Sequence, residues 1–291
     1  MRNAFVDELV VLAQANPQIA LVVGDLGFSV VEPFADRFPD RFINVGVAEQ
    51  NMMGLAAGLA SEGFHPFVYS IANFPIFRCA EQIRNDVDYH NLPVTIVAVG
   101  GGLAYGNLGY SHHAVQDYGF MRMMPHMLIA APGDPMESRA CVRYLVANPQ
   151  PSYLRLGKAG EPNIHPDVPD VSPGQWLKLV GGDGPNTFLT TGAPLPLAHS
   201  WLERPEYRGY ALHSLPLWGM STKGAQPAQA AAWRRIVAVE DHIRDAGFGS
   251  WLTEACISVR DATAIEMHGL SDDIFGKVGS QKTLNALGGL R

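Results

Sequence analysis

The sequence predicts an α/β fold of two three-layer α/β/α domains with mostly parallel sheets, spanning residues 1–158 and 176–291. Three features carry that prediction. Short apolar runs alternate with helical patterns along the whole chain. The apolar runs are nearly continuous, as a strand reads when helices cover both faces of its sheet. The alternation also breaks over 159–175, where Pro162, Pro166, Pro169 and Pro173 interrupt any periodicity and predict a linker.

In chain order, the first domain takes strands at 19–23 (IALVV), 42–45 (FINV), 65–69 (HPFVY), 94–99 (VTIVAV), 127–130 (MLIA) and 152–156 (SYLRL). Helices are expected at 3–15, 47–62, 75–90, 114–123 and 135–147. The last has a clear start, with Asp134 at the N-cap, Pro135 at the first helical position and Glu137 three residues after the cap. Beyond the linker, strands near 187–191, 209–213, 236–240 and 263–267 alternate with helices near 195–203, 244–257 and 281–288.

Bulk composition narrows the function classes. Apolar residues make up 47% and charged residues 17%, which suits a well-buried protein with surface left for an interface. A net charge of −7 argues against nucleic acid or an anionic membrane as partner. Cys79, Cys141 and Cys256 lie far apart and form neither a zinc motif nor a disulfide framework. No apolar stretch approaches a membrane span, and Met1–Phe5 lead straight into a helix. A cytoplasmic protein is the expectation.

Three segments are candidates for chemistry. Glu49 opens a helix that continues in small apolar residues, Gly54-Leu55-Ala56-Ala57-Gly58-Leu59-Ala60. A carboxylate there is costly to bury charged, so it is expected to be protonated or hydrogen-bonded. A helix-start glutamate favoured by the macrodipole is the plainer account. The second segment is Ser111-His112-His113, after the glycine-rich stretch Gly100–Gly109, at the strand-end edge where open α/β sheets bind ligands. Its glycines spell no nucleotide fingerprint, and paired histidines alone are poor metal ligands. The third is Tyr69, Phe74 and Phe77, able to pack a core or to stack on a flat heterocycle.

In this order and spacing the segments resemble the second half of a transketolase-family enzyme, along essentially the whole chain. Gly24-Asp25-Leu26 resembles the family's acidic strand-end motif, and Gly46-Val47-Ala48-Glu49-Gln50-Asn51-Met52 the helix with its cofactor-activating glutamate. Ser111-His112-His113 stands where Thr-His-Gln is usual, and Pro132-Gly133-Asp134 follows the fifth strand. Val239-Glu240-Asp241-His242 with Gly247-Phe248-Gly249 resembles a motif of the C-terminal domain. The resemblance implies a pyrimidine-binding domain for thiamine diphosphate, then a transketolase C-terminal domain. Glu49 would exchange a proton with the aminopyrimidine ring, Asp25, Phe74 and Phe77 would help hold the cofactor, and the cofactor would carry the carbanion chemistry. His112 would face the donor substrate, with Arg2, Ser29, His113 and Lys158 as further substrate contacts. Arg2 lies where chain ends ordinarily fray.

The family holds the diphosphate and Mg²⁺ on another domain, with a G-D-G motif followed by an asparagine. The G-D-G here, Gly182-Asp183-Gly184, is followed by no asparagine between Asn186 and Asn285 and is expected to be a surface turn. The implied enzyme therefore needs an N-terminal, diphosphate-binding partner subunit that supplies the Mg²⁺ ligands, in an α2β2 assembly. The substrate pocket also departs from sugar-phosphate transketolases: Gly100, Leu108 and Lys158 stand where a phosphate-binding histidine, a hydroxyl-reading aspartate and a phosphate-binding arginine are usual. The expectation is two-carbon ketol transfer with an unusual sugar, modified or nucleotide-linked. The alternatives are decarboxylating acyl transfer, as in deoxyxylulose-phosphate synthase or the β chain of a 2-oxo acid dehydrogenase, and a non-catalytic assembly subunit.

Overall fold

The computed structural model describes residues 1–291. Its strands are β1 (Ile19–Val23), β2 (Phe42–Asn44), β3 (His65–Ile71), β4 (Thr95–Val99), β5 (Leu128–Ala130), β6 (Ser152–Leu156), β7 (Leu177–Val180), β8 (Asn186–Thr190), β9 (Ala211–Ser214), β10 (Leu217–Gly219), β11 (Arg235–Ile243) and β12 (Ala264–Leu270). They form a seven-stranded sheet, ordered β10-β5-β6-β4-β3-β1-β2, and a five-stranded sheet, ordered β12-β11-β8-β9-β7. Every pairing is parallel except β10 with β5 and β7 with β9. β1 and β4 are buried at all five positions, as continuous apolar runs require when helices cover both faces. Phe5, Phe34, Phe67 and Leu9 are fully buried beside them, each contributing roughly 1.5–3 kcal/mol. No helix is long and apolar enough to cross a membrane.

Besides β7 and the short helices Glu32–Arg37 and Gln226–Ala230, none of them expected, the structure departs from the expected elements in three places. β10 comes from the second half of the chain yet completes the first sheet, with Leu217 opposite Ala130. The two halves therefore share a sheet, and three residues are too few to show a period. The helix expected at 75–90 is broken into Asn73–Phe77, Ala80–Gln82 and a π-helical turn Ile83–Asp88. Such turns recur near functional sites. The helix expected at 114–123 shortens to Asp117–Met121, because Ala114 is held extended in a bridge to Gly102.

Local motifs explain the joints. The helix Pro135–Ala147 is capped as expected: the Glu137 N–H donates to Asp134 Oδ1 (2.7 Å) and the Gly133 N–H to Glu137 Oε2 (2.7 Å). Asp134 Oδ2 also accepts from the backbone N–H groups of Ile164 and His165, pinning the proline-rich strap. Glu240 accepts from the N–H groups of Phe248 and Gly249 at the head of the helix Phe248–Ala255. A Cβ on Gly247 would lie 2.2 Å from Glu240 Oε2, which is why glycine stands there.

Candidate active site

The site lies beyond the ends of β1, β3 and β4. Glu49 is the first residue of the helix Glu49–Ser61, where the helix dipole favours a negative charge. It is 6% exposed, and its Oε1 accepts a 2.5 Å charged hydrogen bond from Arg78 Nη1. The carboxylate is thus hydrogen-bonded, one of the two states expected of it. Arg78 lies just past the helix Asn73–Phe77, with its guanidinium carbon 4.1 Å from the centre of the Phe74 ring. A cavity of about 540 Å³ opens beside Glu49, between Val47, Asn51 and Arg78. A second, of about 570 Å³, lies between Phe74, Phe77, Tyr110, Gln116 and the same Arg78.

The His112 ring packs edge-on against Phe74, with centroids 5.2 Å apart. Its Nδ1 is 3.0 Å from Ser111 Oγ. Partial burial, then the charges of His113 and Arg78, lower its pKa and favour the neutral imidazole. Asn73 fixes this loop by donating from Nδ2 to the carbonyls of Ser111 (3.1 Å) and His113 (2.9 Å). Tyr105 stands 6.4 Å from His112 and carries Lys158 Nζ 4.7 Å from its ring centre. The Arg2 N–H donates to the Lys158 carbonyl (3.2 Å). Glu49, Arg78, Phe74, His112, Tyr105 and Lys158 therefore form one continuous arc, with Phe77 at its rim.

Other expected residues fall elsewhere. His113 is 1% exposed, with Nε2 turned to the Gly106 carbonyl (3.2 Å). It braces the loop from inside, where the Gly102–Ala114 bridge draws the chain inward. Asp25 and Ser29 are both exposed on the loop after β1 and both adopt positive φ, 55° and 63°. Asp25 pairs with the Asn44 side chain (3.1 Å), and the Ser29 N–H donates to Glu32 (2.6 Å). The fraying expected near Arg2 is absent: Met1 is buried and its amine pairs with Glu161 at 2.7 Å. Gly182-Asp183-Gly184 is the turn between β7 and β8.

Sequence reasoning passed over Arg78, Asn73 and Tyr105. The available signal for Arg78 was a lone charge closing the apolar run Asn73-Phe74-Pro75-Ile76-Phe77. Tyr105 has a cause in Gly100: a Cβ there would lie 2.1 Å from the Tyr105 ring, so that ring fills the space a side chain at position 100 would need.

No three His, Cys, Asp or Glu side chains are grouped to hold a metal ion. A buried carboxylate at a helix head, with an aromatic face and two open cavities near it beyond the ends of a parallel sheet, is the arrangement of an α/β enzyme site. The chain belongs to the transketolase family: residues 1–160 match the family described as "Transketolase, pyrimidine binding domain". It is 32% identical to one subunit of the apulose-4-phosphate transketolase of Phocaeicola vulgatus, over 97% of this chain and 93% of that one. It is 30% identical to 1-deoxy-D-xylulose-5-phosphate synthase 1 of Kitasatospora griseola over 98% of this chain but only 44% of the relative. Among solved structures, a split-gene transketolase described as an inactive β4 tetramer superposes with a TM-score of 0.85 at 30% identity, covering 99% of this chain and 93% of that one.

The family implies thiamine diphosphate, and the ring end of that cofactor suits these residues. Glu49 offers a buried carboxylate beside a cavity, and Phe74 offers a flat face. Val47 and Phe77 are 74% and 47% exposed at the rims of the two cavities.

Proposed function

We propose that this chain is the pyrimidine-side subunit of a two-chain, thiamine-diphosphate-dependent transketolase that moves a two-carbon ketol unit between sugars. The carrying observation is the Glu49 carboxylate, buried at a helix head yet open to a cavity. Mg²⁺ and the diphosphate belong to an N-terminal partner subunit, in a cytoplasmic α2β2 enzyme. The apulose-4-phosphate relative is itself named as one subunit of a transketolase, which supports the division, and the sugar in its name supports a specialised substrate.

Thiamine diphosphate, when bound, supplies the carbanion-stabilising chemistry. The chain's own residues orient and move protons around it. Glu49 would hold and release a proton for the ring. Phe74 and Phe77 would pack against it, and Asp25 steadies the strand-end loop through Asn44. His112, its neutral form favoured, accepts or donates at the donor's oxygen. Lys158, with Arg2 behind it and Ser29 on the adjoining loop, supplies the polar end of the substrate pocket.

Calorimetry with thiamine diphosphate and Mg²⁺ tests this directly. Tight binding is expected only when the partner is present, and tight binding by this chain alone would overturn the division of the site between two chains. In the reconstituted enzyme, Glu49→Gln is expected to lower kcat by roughly 10²–10⁴-fold with the fold intact. Decarboxylating acyl transfer stays as a second reading because the deoxyxylulose-phosphate synthase relative aligns with nearly the whole chain. Ketose turnover without pyruvate turnover would exclude it.

A further inference from the structure

Arg78 is the one residue that walls both cavities, and its guanidinium already makes the two contacts expected of the cofactor ring. It is planar, it lies over the Phe74 face at 4.1 Å, and it donates to Glu49 Oε1 at 2.5 Å. An aminopyrimidine ring would make contacts at the same two places, stacking on an aromatic face and sharing a proton between its ring nitrogen and that carboxyl. A ring cannot reach Glu49 from the Phe74 side while the guanidinium is there. From this geometry we propose that Arg78 is a self-competitor, an internal latch that occupies the ring site of the isolated chain and must be displaced for the cofactor to bind. The inference rests on the thiamine reading above and adds to it how the half-site is kept closed.

The latch is built to move. Arg78 is 48% exposed, and Glu49 is its only ion-pair partner. It sits at a break between two short helices, Asn73–Phe77 and Ala80–Gln82. The neighbouring cavity of about 570 Å³, whose only charged lining residue is Arg78 itself, gives the guanidinium somewhere to go. Glu49, in contrast, is buried and fixed at a helix head, so the moving partner is the arginine.

Two titrations test the latch. In the first, thiamine diphosphate with Mg²⁺ is titrated calorimetrically into the complex with the diphosphate-binding partner. In the second, 4-amino-5-hydroxymethyl-2-methylpyrimidine, the ring alone, is titrated into the isolated chain and followed by NMR. Wild type is compared with Arg78→Ala and Arg78→Lys, with circular dichroism confirming that each variant is folded. Arg78→Ala is expected to bind the ring and the cofactor about tenfold more tightly. Arg78→Lys, charged but without a planar face, is expected to fall between. Binding by Arg78→Ala that is unchanged or weaker, while wild type binds the cofactor, would overturn the latch and leave the cofactor reading standing. If wild type and both variants bind neither ligand, the cofactor reading falls and takes the latch with it.

Discussion

Arg155 and Arg78 each pair with a buried carboxylate, but their surroundings differ. Arg155, on β6, is 3% exposed and fully engaged. It donates to Asp117 (2.6 Å), to Asp241 of the second sheet (2.6 Å) and to the Ala114 carbonyl (2.9 Å), and it lies over the Tyr118 ring at 4.4 Å. Tyr153 donates its hydroxyl to the same Asp117 oxygen as Arg155 Nε (2.7 Å). This cluster is buried throughout and ties the two sheets together. The Arg78–Glu49 pair has one partner on each side and a cavity on each flank. A charge whose valences are filled inside the protein serves the fold. A buried carboxylate held by a single half-exposed arginine is still available to a ligand.

Breaking the sealed cluster should have the largest effect. Arg155→Met leaves Asp117 and Asp241 buried together without a counter-charge, and a stability loss of about 3–5 kcal/mol is expected in urea denaturation. Adding Asp117→Asn and Asp241→Asn should recover part of that loss, because the buried charges go with the arginine. A cost below about 1 kcal/mol would mean that the cluster is no better sealed than the open pair.

Two glycines sharpen the same contrast. Gly102 has φ +64°, and a Cβ there would meet Asp241 Oδ2 at 2.2 Å. Gly101 next to it would meet the Arg155 guanidinium at 2.7 Å. Gly46, beside the open site, has φ +72° and nothing within 4 Å. Gly102→Ala should therefore cost about 2–4 kcal/mol, from backbone strain plus overpacking. Gly46→Ala should cost only about 1–2 kcal/mol, from backbone strain alone. Thermal melts of the two variants, side by side, decide it.

These glycines also show what could be read in advance. The run Gly100-Gly101-Gly102 signals a backbone need, and its position after a strand suggested a ligand loop. The need comes from within: the run gives passage to Arg155 and Asp241, from distant parts of the chain, and to the nearby Tyr105 ring. Local patterns were sufficient where the cause is local, as in the buried runs β1 and β4, the Asp134–Glu137 cap and Glu49 at its helix head. They failed where the cause is a neighbour far along the chain. β10 is a strand only because β5 offers it an edge, and His113 is buried only because Gly102 pairs with Ala114. Arg78 gained its meaning from Glu49, 29 residues away.

Acidity tests the sealed side more gently. Burial pushes the Glu240 carboxyl up to about 8, against the pull of its two backbone N–H donors, with Asp241, Arg155 and His242 facing it. Between its ordinary value near 4.5 and about 8, the folded chain holds a proton that the unfolded chain has released. The stability due to this group is therefore full below about 4.5 and is lost as pH rises toward 8, by at most about 1.4 kcal/mol per unit. Glu137, pushed up to about 7 by burial beside His165 and Asp134, acts with the same sign. Between pH 5 and 6.5 the buried His65 and His213, lowered to about 4 by burial, act with the opposite sign. Denaturation midpoints are therefore expected to decline between pH 6.5 and 8, and Glu240→Gln should flatten the decline.

The smallest effect on stability is expected at the proposed latch. Arg78→Ala removes the only ion-pair partner of Glu49, and in a sealed interior that would be as damaging as losing Arg155. Here the carboxylate lies against a cavity of about 540 Å³, so water can take the place of the guanidinium, and the helix head still favours the negative charge. Arg78 also surrenders little packing, being half exposed over one ring. The expected loss is below about 1 kcal/mol, the ordinary range of an exposed pair. A urea titration of Arg78→Ala beside Arg155→Met measures the contrast in one experiment. A loss of about 3 kcal/mol or more at Arg78 would show that water does not reach Glu49, and the carboxylate would then belong with the sealed cluster as a part of the fold.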